Sequence, residues 1–267
     1  MKVFGVHFRV RAMFLVAACV PMTASAYTLM GTKWGLGPGV ATGNAGNLGT
    51  PGSATFSIMA SGLHFEGFET HEGRSTTDFG LLVGGPTLVE EIGLIDDALD
   101  MWASVSGFIN LGVVVDGGGN GGALGNAGGL GDLRFGAVAF PNGTNAIAHA
   151  YQPGTEAYYG PGGSLTGDLH FNTNYTFVDD ENDGAFGSEF DFFTIALHEI
   201  GHALGLGHSD AAGSIMQPAY GGARRSLSAD DIAGIQAIYG TQAVPEPASL
   251  VALTLGAGAF LRRRKRA

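Results

Sequence analysis

Apolar residues along the chain fall into two periodicities. In "EEIGLIDDALDMWASVS" (Glu90–Ser106), Ile92, Ile95, Leu99, Trp102 and Val105 recur every three or four residues, which predicts an amphipathic helix. "ATFSIMASG" (Ala54–Gly62) and the β-branched "INLGVVVD" (Ile109–Asp116) read as strands. So do "LRFGAVAF" (Leu133–Phe140), "AIAHAYQ" (Ala146–Gln152) and "GDLHFNT" (Gly167–Thr173). A second helix is predicted from about Phe190 and a last one from Ser228 to Tyr239. Between these lie segments without period. Tyr27–Gly52 is rich in Gly, Thr and Asn and reads as an irregular arm. "DGGGNGGALGNAGGLGD" (Asp116–Asp132) is a flexible Gly-rich loop to which no chemistry is assigned. The layout is α+β: a mixed sheet backed by helices, with a small helical part at the end.

The two ends follow neither pattern. Residues 1–26 carry Lys2, Arg9 and Arg11, then the apolar run "AMFLVAACV", then "ASA", the three parts of a secretory signal, which would make Tyr27 the mature N-terminus. Residues 244–267 read "VPEPASLVALTLGAGAFLRRRKRA". The uncharged run Ala248–Leu261 is shorter than the roughly 18–20 residues needed to span a bilayer, and the basic cluster after it favours a cytoplasmic C-terminus. Pro-Glu-Pro, apolar run and terminal arginines together resemble the PEP-CTERM sorting tail of Gram-negative bacteria. That resemblance implies export, transient inner-membrane tethering through 248–261, and processing by an exosortase-type enzyme. The final location would be the cell surface or extracellular matrix. What remains between the ends is a single domain, 27–243.

Charge narrows the partners. Tyr27–Ala243 holds five Lys and Arg against 23 Asp and Glu, a formal charge of −18. Such a surface disfavours nucleic acid and suits hard divalent cations such as calcium. Cys19, the only cysteine, lies in the signal, so no disulfide framework or thiol chemistry is expected in the domain.

The chemistry concentrates in "HEIGHALGLGHSD" (His198–Asp210). His198 and His202, four apart on a helix, share one face and can hold one zinc. Glu199, beside the first ligand, can reach a zinc-bound water without being a ligand; zinc lowers that water's pKa toward ~7, and the carboxylate can take its proton. Gly205 can adopt the left-handed conformation that ends the helix, turning the chain back to present His208 as third ligand. Three ligands leave the fourth position open, as catalytic zinc requires. The pattern H-E-x-x-H-x-x-G-x-x-H is far more specific than H-E-x-x-H alone, and "SIMQP" (Ser214–Pro218) supplies a methionine turn downstream.

Within the metzincins, Ser209 after His208 and Pro218 two residues after Met216 resemble the matrixins, the matrix-metalloproteinase family. "AHAYQPG", "GDLHF" and "LSADDIAGIQAIYG" resemble matrixin segments, the last a C-terminal helix with paired Asp230 and Asp231. The resemblance implies a zincin-like domain with a mostly parallel twisted sheet, an active-site helix and a C-terminal helix. It implies zinc on His198, His202 and His208, Glu199 as general base and then proton donor, and Met216 as hydrophobic floor. It implies an edge strand at Ala146–Tyr151, including Ala148, that receives an extended peptide. The main specificity pocket would have its wall at Pro218–Tyr220 and would be faced by Thr194. The activity implied is peptide-bond hydrolysis by an exported zinc endopeptidase.

The chain also departs from the family. His149 and His170 match two ligands of a second, structural zinc, but Gly136–Ala148 contains no His, Asp or Glu to complete it. The pair is either a partial site or two leftover histidines. Asp168 matches a family calcium carboxylate, whereas Asn172 stands where aspartate is common. "DDENDG" places Asp179, Glu181 and Asp183 at alternating positions before a glycine, either a calcium cage or a solvated acidic loop. The family's inhibitory cysteine propeptide has no counterpart. The alternative to a protease is a non-catalytic cell-surface or matrix binding protein on the same fold, and Glu199 is the residue that separates the two.

Overall fold

The computed structural model describes residues 26–39, 41–42, 47–64, 74–84, 87–118, 131–154, 165–184 and 189–242. The expected export signal at 1–26 and the tail at 244–267 lie outside these, as does most of the Gly-rich run. No helix among the described residues is long and apolar enough to cross a membrane.

A five-stranded sheet carries the domain. Its strands are β4 (Gly52–Ile58), β5 (Phe108–Val113), β6 (Leu133–Val138), β7 (Ala148–Ala150) and β8 (Asp168–Asn172), in the order β5-β4-β6-β8-β7. All neighbours are parallel except β7, which runs antiparallel to β8 with Ala148 opposite Phe171 and Ala150 opposite Leu169. Every residue of β6 and β8 is buried, as expected of central parallel strands covered on both faces. β5 is the opposite edge and alternates between buried and exposed. The predicted strands are all present. The additional short ones, β1 (Thr28–Leu29), β2 (Lys33–Trp34), β3 (Ala41–Thr42), β9 (Thr176–Val178), β10 (Glu189–Asp191) and β11 (Leu206–Gly207), are two or three residues long and too short to show a period.

Among the described residues, three helices pack with the sheet. α1 (Leu88–Ser104) starts in a capping box: the Thr87 N–H donates to the Glu90 carboxylate at 2.7 Å, and the Glu90 N–H donates to the Thr87 hydroxyl. Its buried face is Glu91, Ile95, Ala98, Leu99 and Trp102, whereas Ile92 and Val105 of the predicted stripe are only half-buried. α2 (Phe192–Ala203) is buried nearly throughout, and α3 (Ala229–Tyr239) closes the domain.

α2 is held by aromatic donors from three distant segments. The Trp102 indole donates to the Leu197 carbonyl at 3.1 Å, the Trp34 indole to Ala203 at 2.8 Å, and the Tyr239 hydroxyl to Leu204 at 2.9 Å. The last two carbonyls belong to the helix end, where intrahelical partners run out. Phe171 of β8 packs against Phe79, Phe177 and Phe192 with ring centroids 5.1–5.9 Å apart, joining sheet to helix.

Glu91 is the unusual member of the α1 core. It is fully buried; its Oε1 accepts the Val83 N–H at 3.1 Å, and its Oε2 has no partner among the described residues. Burial raises its pKa from 4.5 to about 7, against the pull of the Val83 hydrogen bond. Between those values the folded chain keeps a proton that the unfolded chain has lost. Glu91 therefore makes stability fall as pH rises across this window, with the loss complete above about 7. Glu91→Gln is expected to flatten this slope, read as the difference in urea midpoint between pH 5 and pH 8. An unchanged difference would show that burial does not hold the proton there.

Candidate active site

The site is built at the C-terminal half of α2. Asp191 caps the helix start by accepting the Thr194 N–H at 3.0 Å. One turn on, His198 and His202 project from the same face, with ring centroids 4.7 Å apart. The helix then stops at Leu204, and Gly205 takes φ 106°, the left-handed turn expected of it. A side chain there would also collide with the Thr32 carbonyl. β11 follows, paired with β1, and delivers His208 to 5.4 Å from the His198 ring and 4.8 Å from the His202 ring. One ligand atom from each of the three histidines lies within 4.8 Å of the others.

The imidazoles are oriented by backbone carbonyls. Nδ1 of His198 lies 2.7 Å from the Ile215 carbonyl, and Nδ1 of His202 lies 2.7 Å from that of Leu206. A carbonyl only accepts, so each Nδ1 carries the hydrogen and each Nε2 keeps its lone pair. Burial lowers the His198 pKa to about 4 and the His202 pKa to about 3, and lowers that of His208. All three are therefore neutral at ordinary pH and ready to bind a cation without first losing a proton. Glu199 is buried, its Oε2 has no partner among the described residues, and burial raises its pKa to about 8. A nearby cation would favour its charged form. Three neutral imidazoles plus one unsatisfied carboxyl fit a borderline-soft divalent ion such as zinc, with the carboxyl left over for proton transfer.

The methionine turn lies beneath. Asp231 of α3 accepts the Ser214 hydroxyl at 2.5 Å, the Ile215 N–H at 2.9 Å, the Met216 N–H at 3.4 Å and the Ser228 N–H at 2.7 Å. This fixes Ile215, whose carbonyl orients His198. Met216 is buried against α2: a Cβ on Gly201 would fall on its sulfur and 3.1 Å from the Trp102 ring. Asp231, Gly201 and the two carbonyls escape a reading of the sequence. Only Asp231 leaves a trace there, as half of the pair on the last helix.

A cleft of about 720 Å³ opens over the site. Ala148, Thr194, Pro218 and Tyr220 all line it, as does His149. β7 is the edge of the sheet on this side. The Tyr220 hydroxyl donates to Asp183 at 2.6 Å and accepts the Asp191 N–H at 3.1 Å; burial, first, and Asp183 raise its pKa. His149 Nε2 and His170 Nδ1 are 2.9 Å apart. The acidic residues do not gather. Asp168 is buried beside Arg134 at 3.9 Å, Asp179 binds Arg225 at 2.6 Å, Asp183 holds Tyr220, and Glu181 is exposed. Among the described residues, the three histidines are the only group of three or more His, Cys, Asp or Glu arranged to hold one ion.

Removing the carboxylate under the turn is expected to loosen the ligands it positions. Asp231→Asn would set an amide donor against two of the four existing donors, and should weaken zinc binding about 10–100-fold, read by competition with a chelating dye. Zinc affinity unchanged in a folded variant would show that the turn orients His198 unaided. Gly201→Ala should destabilise the fold by about 1–3 kcal/mol through overpacking on Met216 and Trp102, read by urea unfolding.

Comparison with known proteins places this geometry. Residues 133–240 match the Matrixin family model. Residues 243–265 match the PEP-CTERM protein-sorting motif, which indicates export and cell-surface sorting in bacteria. The chain is 43% identical over 99 residues to Matrilysin of Rattus norvegicus, covering 36% of this chain and 32% of that protein. It is 39% identical over 101 residues to Karilysin of Tannerella forsythia, covering 38% and 19%. It is 39% identical over 108 residues to Neutrophil collagenase of Homo sapiens, covering 39% and 20%. The chain spans a third or less of the length of these relatives. The α+β architecture, a mixed sheet with an active-site helix and a C-terminal helix, is consistent with a metzincin fold. Over residues 133–240 the chain thus matches the matrixin family, and residues 243–265 after it match a PEP-CTERM protein-sorting motif.

Proposed function

We propose that this protein is an exported zinc endopeptidase. The observation that carries the reading is the convergence of three neutral imidazoles, two of them oriented by backbone carbonyls, with a buried unsatisfied carboxyl, at one side of a cleft bordered by an edge strand. His198, His202 and His208 would hold the metal. Zinc bound there supplies Lewis acidity toward the scissile carbonyl and lowers the pKa of water.

The chain's own residues do the rest. The substrate extends along β7 and pairs with its free edge, which holds the scissile bond over the histidines. Glu199 takes a proton from the attacking water as its oxygen bonds to the carbonyl carbon. It then gives that proton to the leaving nitrogen as the C–N bond breaks. Its burial, which keeps a proton on it up to about pH 8 before any cation is near, suits the second step. Thr194, Pro218 and Tyr220 wall the pocket that takes a substrate side chain. Met216 packs under the ligands and touches neither water nor substrate.

The surroundings follow from the two ends. The signal at 1–26 would deliver the chain across the inner membrane, and the run 248–261 would tether it there until an exosortase-type enzyme processes the tail. Release would be to the cell surface or matrix of a Gram-negative bacterium. Calcium would sit at Asp168 or at Asp179, Glu181 and Asp183, and a second zinc at His149 and His170. The salt bridges of Asp168 and Asp179 and the Tyr220 bond of Asp183 already engage three of those carboxylates.

Elemental analysis is expected to find one zinc per chain, and a mixed peptide library to be cleaved. Glu199→Ala should keep the zinc and lose cleavage by about a hundredfold or more. Zinc bound without cleavage by the unaltered protein would favour a binding protein on this fold. Folded protein that takes no zinc would overturn the reading.

A further inference from the structure

Two adjacent arginines stand beside the cleft and are used differently. Arg225 is neutralised: its guanidinium binds Asp191 and, at 2.6 Å, Asp179, and lies over the Phe193 ring. It does not line the cleft. Arg224 does line the cleft and has only neutral partners. Its N–H donates to the Thr194 hydroxyl at 2.7 Å, which fixes its backbone to α2. Its Nη1 donates to the Ser214 carbonyl at 2.5 Å and the Gln217 side-chain oxygen at 3.1 Å. Among the described residues, Nε and Nη2 have no acceptor, and no carboxylate comes within 4.0 Å of the guanidinium.

The surroundings make this edge available. Arg224 is half-buried on the cleft wall, and Gly221 beside it adds no side chain over Nη2, which lies 3.9 Å from where a Cβ there would stand. Among the described residues, Arg224 is the only Lys or Arg lining the cleft, and Glu199 the only carboxylate. Ile195, Ile215 and Ala219 share the lining and exclude water from the pair a ligand would make. With Nη1 tied back, the Nε–Nη2 edge presents two parallel N–H groups, the fork that matches a carboxylate.

We propose that Arg224 makes this wall of the cleft a subsite for a carboxylate side chain, so that peptides carrying Glu or Asp at the position lodged there are the favoured substrates. The proposal rests on the peptide-cleft reading above. The preference is local, because the domain's formal charge of −18 opposes acidic peptides at long range.

The test uses the zinc-loaded full chain and a peptide set in which one position at a time is Glu or its neutral isostere Gln. At one position, Glu is expected to raise kcat/KM about tenfold over Gln. That ratio should fall to about one in Arg224→Gln, survive in part in Arg224→Lys, and shrink as salt is raised. The same ratio, measured as affinity, should appear in Glu199→Ala. Cleavage with no position favouring Glu, or a ratio that Arg224→Gln leaves intact, would overturn the subsite while leaving the protease. Arg224-dependent binding of the Glu peptide without cleavage by the unaltered protein would keep the subsite and overturn the protease. Neither cleavage nor Arg224-dependent binding would remove both.

Discussion

The Asp231 carboxylate, sunk beneath the methionine turn, is the constraint on which the site depends. A buried charge is tolerable only when its lone pairs are filled, and here four donors fill them. Three come from Ser214, Ile215 and Met216, so satisfying the charge also dictates the path of the turn. That path carries the Ile215 carbonyl to His198 and the Met216 side chain to Gly201. The orientation of His198, the packing of Met216 and the attachment of α3 are thus consequences of one desolvated group.

The second constraint is the end of α2. A helix that stops in the middle of a domain leaves carbonyls without partners in a place water does not reach. Trp34 from the N-terminal arm and Tyr239 from the last helix supply two of the missing donors. The arm is irregular in sequence, yet Trp34 is fully buried and Thr28–Leu29 pairs with the strand that delivers His208. Irregular chain is used where single donors, rather than repeating ladders, are needed.

This explains what could be read from the sequence. The spacing of His198, Glu199, His202, Gly205 and His208 is a statement about one helix and one turn, and local geometry makes such statements legible. The strands of the sheet were legible too, because burial on both faces demands runs such as Leu133–Val138. The acidic residues were not. Asp168, Asp179 and Asp183 look alike as cation ligands, and what distinguishes them is Arg134, Arg225 and Tyr220, partners 34 to 46 residues away. Asp231 was visible only as one of a pair, since three of its four donors sit 15 to 17 residues earlier on a turn of no fixed form. Arg224 and Arg225 are identical in sequence terms and opposite in structure.

The electrostatic state of the site follows from the same burial. Without a cation, His198 and His202 are held neutral, chiefly by desolvation and further by their neighbouring imidazoles, and Glu199 is held protonated near neutral pH by desolvation. With the imidazoles neutral and the carboxyl protonated, the cluster is uncharged and requires no counterion within a strongly acidic domain. A divalent cation reverses the preference of Glu199 alone, because the imidazoles are already in their binding form. The carboxyl that is unsatisfied in the fold is thus the one group whose protonation the metal would change, and that difference suits it to moving a proton rather than holding the ion.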